Sequence, residues 1–427
     1  MKIEEIYQCY LQCTTVCTDT RKIEPNCLFI ALKGDNFNAN TFAQDALDSG
    51  ASFVIIDDKK HYTDKEKMIL VSDSLKTLQE LAKFHRHELG LPIVALTGSN
   101  GKTTTKELIN VVLSRKYNTK ATIGNLNNHI GVPLTLLSFN ENTDIGIVEM
   151  GANHQKEIEF LCSIAEPDYG YITNFGKAHL EGFGGIEGVI KGKSELYQYL
   201  ENNSKIAFVN LDDPIQKEKT SHILHYTFSE KEKCDVKIDS ISANPMVKIS
   251  YNAIEIKSKL IGLYNANNLN AAITIGKYFN VEDEDIKEAI ENYIPTNNRS
   301  QLIEKNNNHI ILDAYNANPS SMIAALTNFK QLEGLGKIAI LGDMFELGEE
   351  SSVEHKKIID FLLNEEKIET YFIGKDFYSN KLEVNHLYFF ENFENFSEKL
   401  STKKFSENTI LIKGSRGMAL ERTLDFI

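Results

Sequence analysis

The run Leu96-Thr97-Gly98-Ser99-Asn100-Gly101-Lys102-Thr103-Thr104-Thr105 constrains this chain more than any other stretch, because an apolar PIVAL precedes it and a helical ELINVVL follows it. Strand, glycine loop and helix in that order put backbone N–H groups at a helix N-terminus, where they close around phosphate oxygens. Lys102 then aims a point charge at the β and γ oxygens, and the Thr103 hydroxyl can ligate Mg²⁺. The spacing is G-x-x-G-K-T, with Leu96 where the longer phosphate-loop pattern has its first glycine. Gly98, Ser99, Asn100, Gly101, Lys102, Thr103 and Thr104 are therefore the candidate ATP-binding set. The plainer alternative is a glycine turn ahead of an ordinary helix.

Such a loop needs a parallel sheet behind it. Apolar runs at residues 145–150, 169–173 and 206–209 alternate with amphipathic helical stretches, which predicts βαβ units. Before them, CLFIAL, a helical stretch at residues 43–48 and SFVII read as a small α/β unit. After the polar residues 295–300, HIILDAY, KIAILGD, TYFIG and TILIKGS predict a second open parallel sheet. Short alternating segments between residues 229 and 259 suggest an antiparallel hairpin insertion. The fold class is thus α/β, 427 residues at roughly 150 per domain suit two or three domains, and these runs divide the chain into three: 1–90, 91–296 and 297–427.

The net charge of −14 is spread along the chain, which disfavours nucleic acid as a partner. The N-terminus MKIEEIYQCYLQ carries acids where a signal peptide needs positive charge, and no run is apolar enough for a membrane span, so a cytoplasmic protein is expected. Cys9, Cys13 and Cys17 would share one face of a helix, but their spacing misses the iron–sulfur pattern and no Cys-x-x-Cys supports zinc. They read as small thiols in a reducing compartment.

Two further clusters carry chemistry. Glu149 ends an apolar strand in VEMGANH, the edge from which an open sheet presents ligands, and is a Mg²⁺ candidate. His179, in the loop after ITN, fits either a ligand or an internally satisfied histidine. Lys191 and Lys193 begin a helix near these acids, where a solvated face is the ordinary reading.

The set LTGSNGKTTTKE, TIGNLNNHIGVPLTLL, VEMGANHQKEI, TNFGKAHLEGFGG, DAYNANPSSM, LGDMFELGEES and LIKGSRGMALE, in this order, resembles the Mur ligase family of peptidoglycan synthesis. NLNNHIGVP, GANHQ, YNANP and GDMFELG resemble most its D-alanyl-D-alanine-adding type, and TDTRKIEPNCLFIALKG resembles that type's N-terminal uridine-nucleotide domain. The resemblance implies a small N-terminal UDP-substrate domain, a central ATPase-like parallel sheet and a C-terminal Rossmann-like ligase domain. It also implies ligation of D-alanyl-D-alanine to UDP-N-acetylmuramoyl-tripeptide through an acyl phosphate, by a cytoplasmic monomer using ATP and two Mg²⁺ ions.

Residue by residue, the resemblance gives Lys102, Thr103 and Glu149 the phosphate-loop and first-metal positions and His179 the second metal. Lys193 matches a lysine that many members carry carbamylated, an anion beside that metal. Asn265 and Asn268 match the adenine-side motif G-x-H-N-x-x-N, in which Tyr264 stands where His is usual. Arg299 matches an arginine reaching the ATP phosphates and Asp313 the acid at the ribose. Tyr315, Asn316 and Asn318 match the mobile domain's share of the site, and Asp343 and Glu346 lie in the stretch expected near the dipeptide. Thr20, Arg21, Leu32, Lys33, Gly34 and Phe37 are candidates for the uridine and pyrophosphate. Asn125, Asn127, Asn128 and His129 are candidates for the muramoyl-peptide. The rival readings are a sister ligase adding the third residue, a folylpolyglutamate-synthase-like enzyme, and a nucleotide switch without ligation chemistry.

Overall fold

The computed structural model describes residues 1–295, 298–333, 336–403 and 405–427. The expected boundary at 296/297 lies outside the described residues. The first sheet has four short parallel strands in the spatial order Val16–Cys17, Leu28–Ile30, Phe53–Ile56, Met68–Leu70, with a small hairpin, Lys33–Gly34 and Phe37–Asn38, beside it. The N-terminal helix stops at Tyr10, so Cys9, Cys13 and Cys17 do not share a helix face as their spacing predicts. The β-branched Thr14, Thr15 and Val16 favour extended chain there.

A long helix, Ser74–Leu89, leaves this sheet, capped by the Asp73 side chain on Lys76 N–H and ended by Gly90 at φ 60°. His85 on its inner face ties the first unit to the second. Its ring meets the Tyr7 hydroxyl at 3.1 Å, the Tyr10 hydroxyl at 3.2 Å and the Phe139 carbonyl at 3.0 Å. Burial pushes this imidazole's pKa down, so the neutral form is the resident one.

The second sheet runs Thr119–Ala121, Ile145–Glu149, Ile93–Thr97, Tyr169–Ile172, Ile206–Asn210, Leu224–Ser229, all parallel. Every residue of Ile93–Thr97 is buried, as expected of a strand covered on both faces. Residues 229–259 do not form a separate insertion. Val236–Ala243, Met246–Tyr251 and Ile254–Ile261 extend the same sheet as an antiparallel edge, because Val236, Ile238, Val247, Ile249 and Ile256 bury one face.

The third sheet runs Gln301–Lys305, Asn308–Asp313, Thr409–Lys413, Lys337–Gly342, Ile368–Ile373, Leu387–Phe390. It is parallel except at its first strand, which pairs antiparallel with the second. Among the described residues no helix is long and apolar enough to cross a membrane.

Candidate active site

Chain order in the second sheet reverses at Ile93–Thr97, which has the later strands Ile145–Glu149 on one side and Tyr169–Ile172 on the other. Ligands of open α/β sheets sit at such a switch point, outside the carboxyl ends of the strands. The helix Lys102–Leu113 that follows is held down by Leu108, Ile109, Val112 and Leu113, all fully buried, each contributing about 1.5–3 kcal/mol. Gly98, at φ 140°, has no room for a side chain, since a Cβ there would lie 2.0 Å from Thr173 Oγ1.

The loop is clamped by the neighbouring strand end. Asn174 Nδ2 donates to the Asn100 carbonyl (3.0 Å) while its Oδ1 accepts from Asn100 N–H (3.1 Å), and Thr173 Oγ1 donates to the same carbonyl (2.6 Å). Lys102 folds back so that Nζ donates to the Gly98 carbonyl at 2.7 Å. Burial lowers its pKa, aided by Arg299 and opposed by Glu149.

Glu149 is 1% exposed. Its Oε1 accepts from Asn127 Nδ2 at 2.8 Å, while its Oε2 is buried without a partner. A buried carboxylate oxygen left so exacts a large desolvation penalty, and a cation in the adjoining cavity would satisfy it. Thr103 is buried on the loop helix and lines the same cavity. His179 adopts φ 53° and its Nδ1 is hydrogen-bonded to Glu346, a contact that holds the Glu346 carboxyl below its usual range. Lys193 is not on a solvated face. It is 1% exposed, donates to the Ala152 carbonyl at 2.9 Å, and is pushed well below the ordinary lysine range by burial and then by the charge of Lys102.

The third sheet supplies the opposite wall. Asp313 and Lys413 are register partners at the carboxyl ends of adjacent strands, and Lys413 Nζ donates to Asp313 Oδ2 at 2.5 Å. The Arg299 guanidinium lies 3.7 Å from the Tyr315 ring centre. Asn318 caps the helix Pro319–Gln331 and reaches Asn100. Asn265 and Asn268 pack beneath the loop: Thr105 Oγ1 donates to Asn268 Oδ1 (3.0 Å) and Asn268 Nδ2 to Asn265 Oδ1 (2.9 Å). A Cβ at Gly101 would meet Asn268 at 2.5 Å, so these amides support the loop.

These groups surround one cavity of about 1350 Å³. It is lined by residues 99–104, Asn125, Asn127, Asn128, His129, Glu149, His179, Asn265, Asn268, Arg299, Asp313, Tyr315, Asn316 and Asn318. Other expected residues lie elsewhere. Lys193 sits behind Ala152, and Glu346 touches the site through His179. Asp343 is not in the cavity: it accepts from Asp376 N–H and Phe377 N–H, both at 3.0 Å, capping a short helix. Thr20, Arg21, Leu32, Lys33, Gly34 and Phe37 are on the first unit, outside this cavity, where Lys33 pairs with Asp57 at 2.9 Å and Phe37 is 56% exposed. Sequence reasoning missed Leu75 and Gln79, cavity residues carried by the helix Ser74–Leu89, and Lys413, whose place after TILI at a strand end was the available signal.

Loop N–H groups, two cations and a partnerless carboxylate oxygen around one space suit binding and transfer of a phosphoryl group. Comparison with known proteins agrees. Residues 96–276 match the Mur ligase middle domain and residues 298–416 the Mur ligase glutamate ligase domain. The UDP-N-acetylmuramoyl-tripeptide–D-alanyl-D-alanine ligase of Bacillus subtilis is 35% identical over 95% of this chain and 91% of its own length. A crystal structure of MurF from Acinetobacter baumannii superposes with TM-score 0.87 at 30% identity, covering 99% of this chain and 97% of that one. MurF ligase from Thermotoga maritima in complex with ADP does so with TM-score 0.84 at 25% identity, covering 98% and 97%. A likeness that runs through both ligase domains and nearly the whole length places this chain in the Mur ligase family.

Proposed function

We propose that this chain joins D-alanyl-D-alanine to UDP-N-acetylmuramoyl-tripeptide, cleaving ATP to ADP and phosphate, in the cytoplasmic synthesis of the peptidoglycan precursor. The observation that carries the reading is the meeting, in one cavity, of the phosphate loop with Arg299 and Asp313 of the third sheet, in a full-length relative of ligases bearing that name. Residues 1–90 hold the UDP end, 91–296 the ATP and 297–427 the dipeptide, in a monomer.

A carboxylate at neutral pH repels an amine nucleophile and must first be activated. The γ-phosphoryl group passes to a carboxylate oxygen of the tripeptide and ADP leaves. The dipeptide amine then attacks the acyl carbon, gives up a proton and expels phosphate with that oxygen. The loop N–H groups at residues 99–104, together with Lys102 and Arg299, meet the charge that shifts between phosphate oxygens. Asp313 faces the ribose, and Asn265 and Asn268 keep the loop in shape below the nucleotide. The muramoyl-peptide runs past Asn125, Asn127, Asn128 and His129, while Tyr315, Asn316 and Asn318 are the third sheet's share of the joined site. The uridine and pyrophosphate lie on Thr20, Arg21, Leu32, Lys33, Gly34 and Phe37.

The partnerless Glu149 oxygen fits a cation, and Thr103 and Glu149 would hold one Mg²⁺. The second ion that the family resemblance implies would be held by His179 and a carbamylated Lys193, once that side chain turned from the Ala152 carbonyl toward the cavity. When bound, the ions neutralise phosphate charge. A neutral amine is the form that adds carbon dioxide, and burial moves Lys193 in that direction, which supports the carbamate.

Incubation with ATP, Mg²⁺, UDP-N-acetylmuramoyl-tripeptide and D-alanyl-D-alanine should give one product whose mass is the sum of the two acceptors less water, with equimolar ADP and phosphate. Ligation of a single amino acid instead would move the chain to a sister activity. ATP hydrolysis indifferent to both acceptors would overturn the reading.

A further inference from the structure

Tyr264 is attached to the second sheet, in the short turn Leu263–Asn265 after the strand Ile254–Ile261, yet its polar atom is used by the third. The Tyr264 hydroxyl and Ser300 Oγ are 2.8 Å apart. Ser300 N–H donates to Asp313 Oδ1 at 3.1 Å, and Asp313 Oδ2 accepts from Lys413 Nζ at 2.5 Å. Both carboxylate oxygens of Asp313 are therefore oriented, one by the chain that Tyr264 reaches and one by a lysine whose side chain is only 3% exposed. The ring has a built seat: a Cβ on Gly262, at φ 84°, would lie 2.4 Å from Tyr264 Cε1 and 3.0 Å from Asn328 Cγ of the helix Pro319–Gln331. Burial raises the phenol's pKa, so the hydroxyl keeps its proton across the working range.

We infer that Tyr264 is a positioning residue for the nucleotide: by fixing Ser300 it sets Asp313 against the ribose and holds the third sheet over the phosphate loop. The inference rests on the nucleotide-binding reading of Asp313. Histidine, usual at this place in the resembling motif, has a shorter reach than tyrosine and would leave Ser300 Oγ without this partner. Tyr264 therefore makes nucleotide binding and the placing of the third sheet one event.

The test is a double-mutant cycle on the full chain with Tyr264→Phe and Ser300→Ala, which delete the two hydroxyls and leave the Ser300 N–H bond to Asp313 possible. Each single variant should raise the KM for ATP and the calorimetric Kd for ADP about three- to tenfold, the scale of one hydrogen bond, with the KM for the UDP-substrate unchanged. The double variant should be no weaker than the worse single, because one contact cannot be lost twice. Unchanged ADP affinity in both singles, or additive losses in the double, would overturn the inference. Because ADP affinity is read directly, that outcome does not depend on which acceptors the enzyme joins. Should ADP bind neither the variants nor the unaltered chain, the nucleotide-binding reading itself, and this inference with it, would fall.

Discussion

The Asn318 side chain donates from Nδ2 to Asn100 Oδ1 across 2.7 Å, joining the cap of a third-sheet helix to the phosphate loop of the second sheet. Asn100's own peptide groups are held by Thr173 and Asn174, so the loop residue that faces the third sheet is also firmly fixed from below. Asn318→Asp keeps the oxygen that caps Ser321 N–H but removes the donor to Asn100. It should leave thermal stability nearly unchanged and slow turnover at subsaturating ATP about three- to tenfold. Asn318→Ala should also lose about 1 kcal/mol of stability with the cap. Equal turnover in the two variants and the unaltered enzyme would remove the contact from function.

Lys102→Ala deletes a phosphate-directed charge and no apolar packing, so the far-ultraviolet spectrum should be unchanged while ligation falls by at least about a hundredfold. Undiminished turnover at saturating ATP would reassign the loop.

Lys193→Ala should abolish most ligation and regain part of it with added short-chain carboxylates, which can replace an anion beside Mg²⁺. Removing so buried a side chain also costs stability, and only the rescue separates chemistry from packing. A folded, inactive variant that no carboxylate revives would argue against the carbamate.

Glu354, 4% exposed in its side chain, accepts from Lys177 Nζ and Lys357 Nζ, both at 2.7 Å, and Lys177 comes from the second sheet's loop. Burial works to raise the Glu354 pKa, but the two lysines prevail and hold it below the ordinary value of 4.5. A carboxylate depressed on folding contributes stability above its unfolded pKa and loses it as the pH falls through the lower folded value. The contact should therefore be at full strength at neutral pH and fade below about pH 4.5. Glu354→Gln should cost about 1–2 kcal/mol at pH 7 and flatten the acid limb of the stability profile. An acid limb identical in the two proteins would place the acid sensitivity elsewhere.

Arg299 stacks on Tyr315, and its Nε is buried without a hydrogen-bond partner. Arg299→Ala should lower kcat more than it weakens binding of the UDP-substrate, whose uridine end is proposed to lie on the first sheet's unit. Calorimetric UDP-substrate affinity beside kcat decides this. A variant with normal turnover would leave Arg299 as a structural cation only.

Local order makes the phosphate loop legible: an apolar strand, two glycines and a helix beginning at Lys102 are properties of adjacent residues. The same holds for the parallel sheets, whose apolar runs and helix intervals are written within a few tens of residues. Between residues 229 and 259 the short alternating segments reveal antiparallel pairing but not that they continue the central sheet. What this stretch packs against lies elsewhere, for instance Glu291, which accepts from Lys257 N–H at 2.9 Å.

Placement relative to distant chain was decided by tertiary structure alone. Lys102 and Lys193 both lie on helices, yet one folds back onto the Gly98 carbonyl at the cavity and the other donates to the Ala152 carbonyl outside it. Asp313 ends an apolar strand and Asp343 directly follows one, yet the first faces the cavity beside Lys413 and the second accepts from two backbone N–H groups. Periodicity and turn chemistry report which residues a strand or helix will bury. The partner a polar group finds depends on which strand ends become neighbours, and that is settled by packing between residues a hundred positions apart, as Asp313 and Lys413 are, or more, as Asn100 and Asn318 are.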